Sequence, residues 1–579
     1  MIFPTLNPLK TSRESIEIFK GYNHNIRIGS GEFYEMENLS SDNYPLLSPR
    51  CKRGIYESPE NPNGMIAKGA LCYVDGGDFV IGNERIPMNL SDSRKALISM
   101  GANVIIMPDK KYINTTPQDD GSYESGEIEA SVVTSGTVSF TLSRADGSAY
   151  GEIPVQTEAP SNPSNLSYWI DTSATPHALK QYSASSGTWA SVVTTYIKIA
   201  ADGIGAPFAV DDGVSISGIE DTAIAEMLKS AIIQDRADDY IIVKGMLDKV
   251  SSQTLPVTVE RRMPNMDFII ESENRLWGCR YGAALNGKIV NEIYASKLGD
   301  FKNWNCFAGI STDSYAVSIG TDGPFTGAIT YLGHPIFFKE TCMHKIFGNY
   351  PSNFQVQMTT LRGVQKGCEN SLAIVNEVLF YKARSGICAY DGSLPVEISA
   401  ALGDVRYNNA AAGALANKYY ISMSDTDGGW HLFVYDTLKG VWHREDATQA
   451  ELFCNFQGDL YFIDHATEQI KTVKGTGVPE AAPIKWSATT GIIGTDSPGK
   501  KYISSMDVRM SIEVGARIAF YAEYDSCGEY EYLFTMVGKS LQSFSVPVRT
   551  RRCDHLRIRI VGTGNAQIFS IYKTTGGGQ

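Results

Sequence analysis

The sequence has little that would hold a metal or a cofactor. Its 10 cysteines and 8 histidines include no C-x-x-C pair, no H-E-x-x-H motif and no histidine at zinc-finger spacing. These are the patterns of zinc and redox sites, so we predict no metal site and no cofactor. Scattered cysteines of this kind are typical of free thiols in a reducing cytoplasm.

Long apolar runs are also missing. No segment comes near the roughly 18 continuous apolar residues of a membrane-spanning helix. The N-terminus lacks a basic region followed by an apolar stretch, which predicts no signal peptide. We therefore expect a protein that is made in a cytoplasm and does not enter a membrane.

Basic charge is scarce. Lys and Arg number 51 against 64 Asp and Glu, which gives a formal net charge of −13. General binding to a nucleic-acid backbone needs a cationic surface, so this balance argues against it. The acidic surplus serves solubility, and it also suits a wall past which DNA slides without sticking.

What the sequence does have is a recurring aromatic strand pattern in its second half. Aligning Leu276, Ile336, Leu379, Tyr420 and Tyr461 gives steps of 60, 43, 41 and 41 residues. A period near 40 residues, filled with strands, is typical of a β-propeller with one four-stranded blade per repeat. We predict a mainly β protein with a propeller of about seven blades, with six or eight as alternatives.

Composition divides the chain into four predicted parts. Residues 1–117 and 261–476 are the two parts of the propeller, 118–260 are an inserted β-rich or α+β domain, and 480–579 are a C-terminal β-sandwich. A Pro/Ser/Asn-rich hinge at 158–165 and an amphipathic helix over 222–233, with Asp221 as its N-cap, mark the insertion. Insertion at a loop tip is well tolerated, because the entropic cost of loop closure grows slowly with length.

Three short motifs are similar to functional loops but depart from them. Residues 494–500 match G-x-x-x-x-G-K, yet Lys501 replaces the Ser or Thr that a phosphate loop needs for magnesium. Residues 425–429 begin like a calcium loop but lack its glutamate, so we expect a turn, with calcium binding as the alternative. Residues 183–189 are similar to the Asp-box of sialidase-like propellers, with Ser185 in place of Asp. No local motif nominates the carboxylate pair of a glycoside hydrolase, so we predict no catalytic residue and no enzyme.

Two groups of residues are candidates for binding. Trp169 and Trp189 in the insertion are candidates for stacking on sugar rings, the alternative being core packing. The concentrated basic segment near the C-terminus is a candidate interface, since arginine is enriched in interfaces, the alternative being a solvated outer face. Its residues are Arg549, Arg551, Arg552, Arg557 and Arg559.

One block of the sequence carries a family resemblance. Its residues are Asn274, Arg275, Leu276, Trp277, Tyr294, Ser296, Gly299, Asp300 and Trp304. The block resembles a signature of tail tube, nozzle and stabilisation proteins of short-tailed bacteriophages and of phages of gut Firmicutes, many of which are β-propellers. Residues 325–329, 335–340, 390–395 and 551–555 are similar to the stabilisation protein as well. In physical terms the block supplies buried aromatic area and a turn, which predicts a structural role.

The resemblance implies a structural protein of the virion, located in the phage tail and assembled in the cytoplasm of the host bacterium. It implies a homohexameric nozzle or ring below the portal and adaptor that extends or seals the DNA channel, stabilises packaged DNA and acts in genome ejection. Its partners would be further copies of itself, the adaptor, fibres or spikes, and DNA that passes without sequence-specific binding, with no membrane. The alternatives are a tail protein that binds host glycans through the insertion and a sialidase-like glycoside hydrolase.

Overall fold

The computed structural model describes residues 11–284, 287–494, 500–548 and 551–577. These residues form 51 strands, one α-helix and three short 3₁₀ helices, so the protein is mainly β as predicted. Within the described ranges, no helix has both the length and the apolar character needed to cross a membrane. The strands build a seven-bladed propeller, a domain inserted into it, and a sheet that joins both ends of the chain.

The chain begins with six short strands that serve different sheets. They are β1 (Thr11–Ile16), β2 (Gly21–Tyr22), β3 (Glu32–Glu37), β4 (Leu39–Ser40), β5 (Ser48–Pro49) and β6 (Gly54–Glu57). β1 and β3 pair with strands from residues 485–577, and β2 pairs with β3 at the edge of the same sheet. β4 pairs with β5, and β6 joins the last propeller blade. The assignment of residues 1–117 to the propeller is corrected, because the strands before β6 lie outside it.

Two blades precede the insertion. Blade one is β7 (Pro62–Lys68), β8 (Ala70–Asp75), β9 (Asp78–Ile81) and β10 (Glu84–Pro87). Blade two is β11 (Ala96–Met100), β12 (Asn103–Met107), β13 (Lys111–Asn114) and β14 (Ser125–Glu127). The second strands, β8 and β12, are nearly continuous apolar runs because both of their faces are buried.

The insertion consists of an eight-stranded sheet with a smaller sheet nested inside it. Its elements are β15 (Ala130–Val133), β16 (Val138–Ser143), β17 (Val155–Gln156), β18 (Tyr168–Asp171), β19 (Ala178–Ser183), β20 (Thr188–Ser191), β21 (Tyr196–Ala200), β22 (Gly213–Ser217), α1 (Thr222–Leu228), β23 (Ala231–Ala237), β24 (Tyr240–Lys244), β25 (Ser251–Gln253) and β26 (Thr258–Arg261). The nested sheet is β17 to β20, and the other strands enclose a separate hydrophobic core. Asp221 caps α1 as predicted, but the helix ends at Leu228 because residues 231–237 pair with β24.

Five blades follow the insertion. Blade three contains β27 (Phe268–Ser272), β28 (Arg275–Ala283), β29 (Ile289–Ala295) and β30 (Tyr315–Ser318), and blade four contains β31 (Gly327–Tyr331), β32 (His334–Lys339), β33 (Cys342–Phe347) and β34 (Gln355–Thr360). Blade five contains β35 (Ala373–Val375), β36 (Val378–Lys382), β37 (Ile387–Tyr390) and β38 (Val396–Glu397), and blade six contains β39 (Tyr407–Leu415), β40 (Lys418–Asp425), β41 (Trp430–Asp436) and β42 (Val441–Arg444). Blade seven contains β43 (Ala450–Phe456), β44 (Asp459–Asp464) and β45 (Gln469–Thr472). A short strand, β46 (Val478–Pro479), pairs with β6, and the 3₁₀ helices are Pro351–Asn353, Glu369–Ser371 and Ser399–Leu402.

The ring closes through the N-terminal segment. β6 supplies the fourth strand of blade seven by pairing with β45, and the first strand of that blade contacts the first strand of blade one. The recurring aromatic pattern lies in the second strand of blades three to seven, where neighbouring blades bury it. The predicted propeller, with seven blades, is confirmed.

The last five strands build the terminal sheet. They are β47 (Lys485–Thr490), β48 (Lys501–Tyr524), β49 (Glu531–Val546), β50 (Leu556–Thr563) and β51 (Ala566–Gly577). The first half of β48 pairs with β51 and its second half with β50. Buried residues of the two halves, such as Val508 and Phe520, belong to the same hydrophobic core. The strands of the region predicted as a sandwich, 480–579, form one sheet, and this sheet also contains β1, β2 and β3.

Blade six carries the junction with the N-terminal strands. Ser41 Oγ donates a hydrogen bond to Asp436 Oδ2 at 2.7 Å, and Lys418 Nζ lies 2.6 Å from Asp42 Oδ1. His443 in β42 is buried beside this junction. Burial, followed by the charge of Lys418, lowers the pKa of His443 to about 4.

We expect acid to weaken this junction through His443. Because the folded state holds the pKa of His443 below its usual 6.5, its contribution is complete above pH 6.5 and is lost as the pH falls toward 4. The difference corresponds to about 3 kcal/mol of unfolding free energy at the acid end. Urea unfolding at about pH 7.5 and about pH 4.5 checks this. His443→Gln should lose less stability over that interval, and an equal loss in both proteins would contradict the prediction.

Candidate functional site

The nested sheet of the insertion presents aromatic side chains on one face. Strand pairing places Trp169 of β18 opposite Lys180 of β19, and Tyr182 of β19 opposite Trp189 of β20. Because side chains alternate along a strand, these four residues and Asp171 share a face. We call these five residues the aromatic face.

The two tryptophans of the aromatic face have different exposure. The rings of Trp169 and Trp189 are 5.5 Å apart in an edge-to-face arrangement, and those of Tyr182 and Trp189 are 5.3 Å apart. Trp169 is only 5% exposed, and its Nε1 donates to the Gln156 carbonyl oxygen at 3.0 Å. Trp189 and Tyr182 stay partly exposed. The prediction of Trp169 as a direct sugar contact is therefore corrected, because neighbouring groups cover its ring and it packs beneath Trp189.

The aromatic face also has a charged pair. Lys180 Nζ lies 2.7 Å from Asp171 Oδ2 and 5.2 Å from the centre of the Trp169 ring. Asp171 Oδ1 accepts hydrogen bonds from the backbone N and the Oγ of Ser173. The hydrogen bond from Lys180, followed by that from Ser173, lowers the pKa of Asp171 to about 2. Asp171 therefore stays anionic at neutral pH and is already paired.

Hydroxyl groups are concentrated at the end of the β19–β20 hairpin. In the turn between β19 and β20, Ser183 Oγ lies 2.9 Å from Ser185 Oγ, and Ser186 Oγ lies 2.8 Å from Thr188 Oγ1. This is the segment similar to an Asp-box, and here it closes a hairpin. Ser183 and Thr188 form the strand pair next to Tyr182 and Trp189, so their side chains point to the opposite side of the nested sheet from the aromatic face.

A second concave region lies between blades three and four. This cleft is small and opens to solvent. It is lined by Ser272, Glu273, Arg275, Trp277, Gly333, His334, Pro335, Ile346, Gly348, Asn349 and Phe354. Glu273 is the one carboxylate among these lining residues, whereas glycoside hydrolysis ordinarily uses two. The cleft therefore presents no such pair.

The signature residue Arg275 also lines the cleft but is committed to the backbone. It is 2% exposed, and its guanidinium donates to the carbonyl oxygens of Ser296 at 2.7 Å, Asp313 at 2.5 Å and Ser311 at 2.8 Å. Burial lowers its pKa. Arg275 thus ties β28 to the long connection between β29 and β30.

Other signature residues pack or hydrogen-bond around Arg275. Leu276 is fully buried, and its backbone N donates to Ser296 Oγ at 3.0 Å. Trp277 is 3% exposed and meets Phe354 edge-on at 5.0 Å. Tyr294 donates its hydroxyl to Glu292. Leu276 and Trp277 are therefore buried packing residues, and Tyr294 is partly buried.

The remaining signature residues form a turn and part of the contact between blade three and the insertion. Asn274 has a φ of 57°, and its carbonyl oxygen accepts a hydrogen bond from Gly299 N at 2.8 Å. Trp304 is 3% exposed and donates its Nε1 to the Phe301 carbonyl oxygen at 3.0 Å. Asp300 Oδ2 accepts a hydrogen bond from Asn303 Nδ2 at 2.5 Å.

Asn303 continues this network into the insertion. Its Nδ2 also donates to Asp212 Oδ1 at 3.0 Å, and its Oδ1 accepts from Gly213 N at 2.8 Å. Asp212 forms an ion pair with Arg261, and both side chains are less than 10% exposed. The joint, defined by Asp212, Arg261, Asp300 and Asn303, fixes the insertion to blade three.

The C-terminal arginines are partly engaged within the chain. Arg557 stacks on Tyr34 with its guanidinium carbon 4.4 Å from the ring centre, and Arg559 stacks on Tyr530 at 5.4 Å. The burial pattern of β50 places both arginines on one face, opposite the buried Leu556, Ile558 and Ile560, as predicted.

The rest of the basic segment differs from these two arginines in exposure. Arg551 is exposed and pairs with Glu531 at 2.6 Å, and Arg552 is also exposed. Arg549 lies outside the described residues. The interface role of the five arginines stays a prediction.

The loop motifs have structural uses where they are described. Asp425 Oδ1 accepts backbone hydrogen bonds from Asp427 and Gly429, and its Oδ2 lies 2.8 Å from His431 Nε2. Among the described residues, no group of three or more His, Cys, Asp or Glu is placed to hold a metal ion. Most of the phosphate-loop match at 494–500 lies outside the described ranges.

No family model and no curated protein matches the sequence. Among solved structures, an exo-β-1,3-galactanase from Phanerochaete chrysosporium is 8% identical over 53% of this chain and 94% of its own, with a TM-score of 0.21. PorZ, a surface component of the type-IX secretion system of Porphyromonas gingivalis, is 10% identical over 84% of this chain and 70% of its own, with a TM-score of 0.25. A GH43 glycoside hydrolase with endo-xylanase and exo-arabinofuranosidase activity is 8% identical over 54% and 96%, with a TM-score of 0.20.

These matches correct one prediction. The exclusion of enzymes is wrong, because glycoside hydrolases are prominent among the matched structures. Identities of 8 to 10% and TM-scores of 0.19 to 0.25 assign neither a substrate nor a catalytic residue to this chain. The resemblance to phage tail proteins stays a prediction.

Proposed function

We propose that this β-propeller protein binds glycans through the aromatic face of its insertion. The observation that carries the proposal is the partly exposed pair of Trp189 and Tyr182, which is supported from below by Trp169. The apolar C–H face of a sugar ring packs on an aromatic ring, while its hydroxyls need nearby donors and acceptors. The aromatic face supplies the rings, and the hydroxyl of Tyr182 on the same face is both a donor and an acceptor.

The position of the nested sheet supports this proposal. It lies between β16 and β21 of a domain that itself interrupts the propeller between blades two and three. The joint and the separate core of the insertion hold the nested sheet on a folded support. Binding residues carried by loops or small modules on a rigid scaffold are a common arrangement.

Replacing Trp189 by alanine tests the proposal. We expect Trp189→Ala to weaken glycan binding about tenfold or more, since aromatic anchors dominate binding energies and a tenfold loss corresponds to about 1.4 kcal/mol. A glycan array identifies the ligand, and calorimetry with the purified full chain measures the affinity. The matched control is Trp430→Ala, a tryptophan of similar partial exposure in blade six.

The outcomes distinguish glycan binding by the aromatic face, the absence of such binding, and glycan hydrolysis. Binding that is lost in Trp189→Ala and kept in Trp430→Ala supports the aromatic face. Binding that survives in both variants, or no binding to any glycan, contradicts the proposal. Chromatography of the incubated glycan adds a further outcome, because turnover that is abolished by Trp189→Ala would make the aromatic face part of a hydrolase.

As a second candidate, we propose a structural role in a phage tail. Its support is that the described signature residues serve packing, a turn and the joint, which fits a structural role for this block. Native mass spectrometry of the chain with tail partner proteins tests this role. A ring of six copies is the expected result, and monomers alone in the presence of those partners would rule the role out.

A further inference from the structure

The nested sheet carries few charges, and this bears on the ligand of the proposed glycan site. Residues 155–191 contain four titratable groups of the acidic, basic or histidine type, which are Glu158, Asp171, His177 and Lys180. The same 37 residues contain 12 Ser or Thr. His177 pairs at 3.0 Å with Asp248, which lies in the connection between β24 and β25, outside the aromatic face.

Lys180 is the one cation on the aromatic face, and it is engaged. Its ammonium lies 2.7 Å from Asp171 Oδ2 and above the ring of Trp169. Asp171 is only 4% exposed, so it stays in place as the counter-ion. A carboxylate on an incoming sugar would therefore meet a cation whose charge is already neutralised, with an anion directly behind it.

Resting on the glycan-binding function proposed above, we propose that the aromatic face selects neutral oligosaccharides and that the Asp171–Lys180 pair determines this selectivity. Neutral sugars need only the aromatic rings and a neutral hydroxyl such as that of Tyr182. Removing the charge of Asp171 frees Lys180 to attract an anionic sugar. The net charge of −13 for the whole chain adds a weaker, long-range bias in the same direction.

Replacing Asp171 and Lys180 by neutral residues tests the selectivity. Calorimetry with the full chain compares galactotriose, maltotriose and cellotriose with trigalacturonate, whose rings carry a carboxylate in place of the hydroxymethyl group of galactotriose. We expect the wild type to bind a neutral trisaccharide and to bind trigalacturonate at least about fivefold more weakly. Asp171→Asn should raise the affinity for trigalacturonate about two- to fivefold, as expected for one partly exposed ion pair.

A double variant provides the matched control. Asp171→Asn combined with Lys180→Gln carries no charge at either position, so the gain in trigalacturonate binding should disappear. Wild-type binding of the neutral ligand should also stay constant between about 50 and about 500 mM salt, because screening acts on charge pairs. This salt series keeps the proposal testable if Asp171→Asn does not fold.

The possible failures are distinguishable. A wild type that binds no oligosaccharide at all overturns the proposed function together with this inference. A wild type that binds trigalacturonate as well as neutral sugars overturns the inference alone. So does an Asp171→Asn variant that folds, as judged by its circular dichroism, and shows unchanged preference.

Discussion

Replacing Arg53 by alanine is expected to lower the free energy of unfolding by about 3–5 kcal/mol, the usual cost of breaking a buried ion pair from one side. Arg53 is buried, its Nη2 lies 2.9 Å from Glu445 Oε2, and its Nη1 lies 2.7 Å from Asp446 Oδ2. Truncation leaves the Glu445 carboxylate, which is 3% exposed, without its counter-ion.

Because of where Arg53 lies, its removal should weaken the closure of the propeller ring as well as its own contacts. Arg53 directly precedes β6, which closes the propeller ring, and Glu445 and Asp446 lie in the connection between blades six and seven. Arg50 extends the cluster by pairing with Asp446 at 3.5 Å and with Glu480 at 3.2 Å. The cluster therefore joins three chain segments at the ring closure.

Equilibrium unfolding in urea, followed by tryptophan fluorescence, measures the effect. Arg362→Ala is the matched control, because Arg362 pairs with Glu397 at 2.7 Å and the two side chains are 56% and 33% exposed. Its loss should stay below about 1 kcal/mol. Equal destabilisation by the two variants would show that the Arg53 cluster has no special role in closing the ring.

A second comparison separates the cost of breaking the Arg53–Glu445 pair from the net contribution of the intact pair to the free energy of unfolding. Burial raises the pKa of Glu445 even though Arg53 opposes the shift, so the carboxylate is held in its charged form at a cost. Replacing both partners by apolar residues, as in Arg53→Met with Glu445→Leu, removes that cost together with the attraction. We expect the double variant to be more stable than Arg53→Ala.

The propeller could be predicted from sequence because its information is local. Each repeat buries a second strand between two neighbouring blades, so the aromatic run that contains Leu379, Tyr420 or Tyr461 returns at nearly constant spacing. The irregular step of 60 residues has a clear cause, since blade three contains the connection that carries Asp300 and Trp304. The spacing covers blades three to seven only, so it left the number of blades open between six and eight.

The terminal sheet could not be predicted in the same way. Thr11 pairs with Gly576, and Ser12 with Thr575, across almost the whole length of the chain. The sequence of a six-residue strand does not determine which distant strand it pairs with, because many registers satisfy the same alternation of side chains. The N-terminal strands were therefore assigned to the propeller that follows them.

The aromatic face was predicted in part for a related reason. Trp169 and Trp189 stand out by residue type, but their exposure depends on which residues cover them after the strands pair. Asp171, Lys180 and Tyr182 were missed because only the register of β18, β19 and β20 brings them onto one face. The alternation in residues 168–171 and 178–183 was the available signal.

The joint is the second place where a single substitution should have a large effect. Asp212→Ala is expected to destabilise the attachment of the insertion by about 3–5 kcal/mol, because Arg261 would stay buried without its carboxylate partner. Asn303 would also lose its bond to Asp212 Oδ1, while its amide keeps Asp300 as an acceptor. The propeller core should remain folded, since the insertion has a hydrophobic core of its own.

Limited proteolysis and hydrogen exchange distinguish this local release from global unfolding. In Asp212→Ala, exchange should rise in residues 205–215 and 297–314 while the second strands of the blades stay protected. Arg236→Ala is the control on the same domain, since its partner Asp238 is 86% exposed and the pair is expected to contribute little. If Asp212→Ala instead exchanged like the wild type in both segments, the signature residues around Asp300 would not anchor the insertion. The structural role inferred for that block would then rest on packing alone.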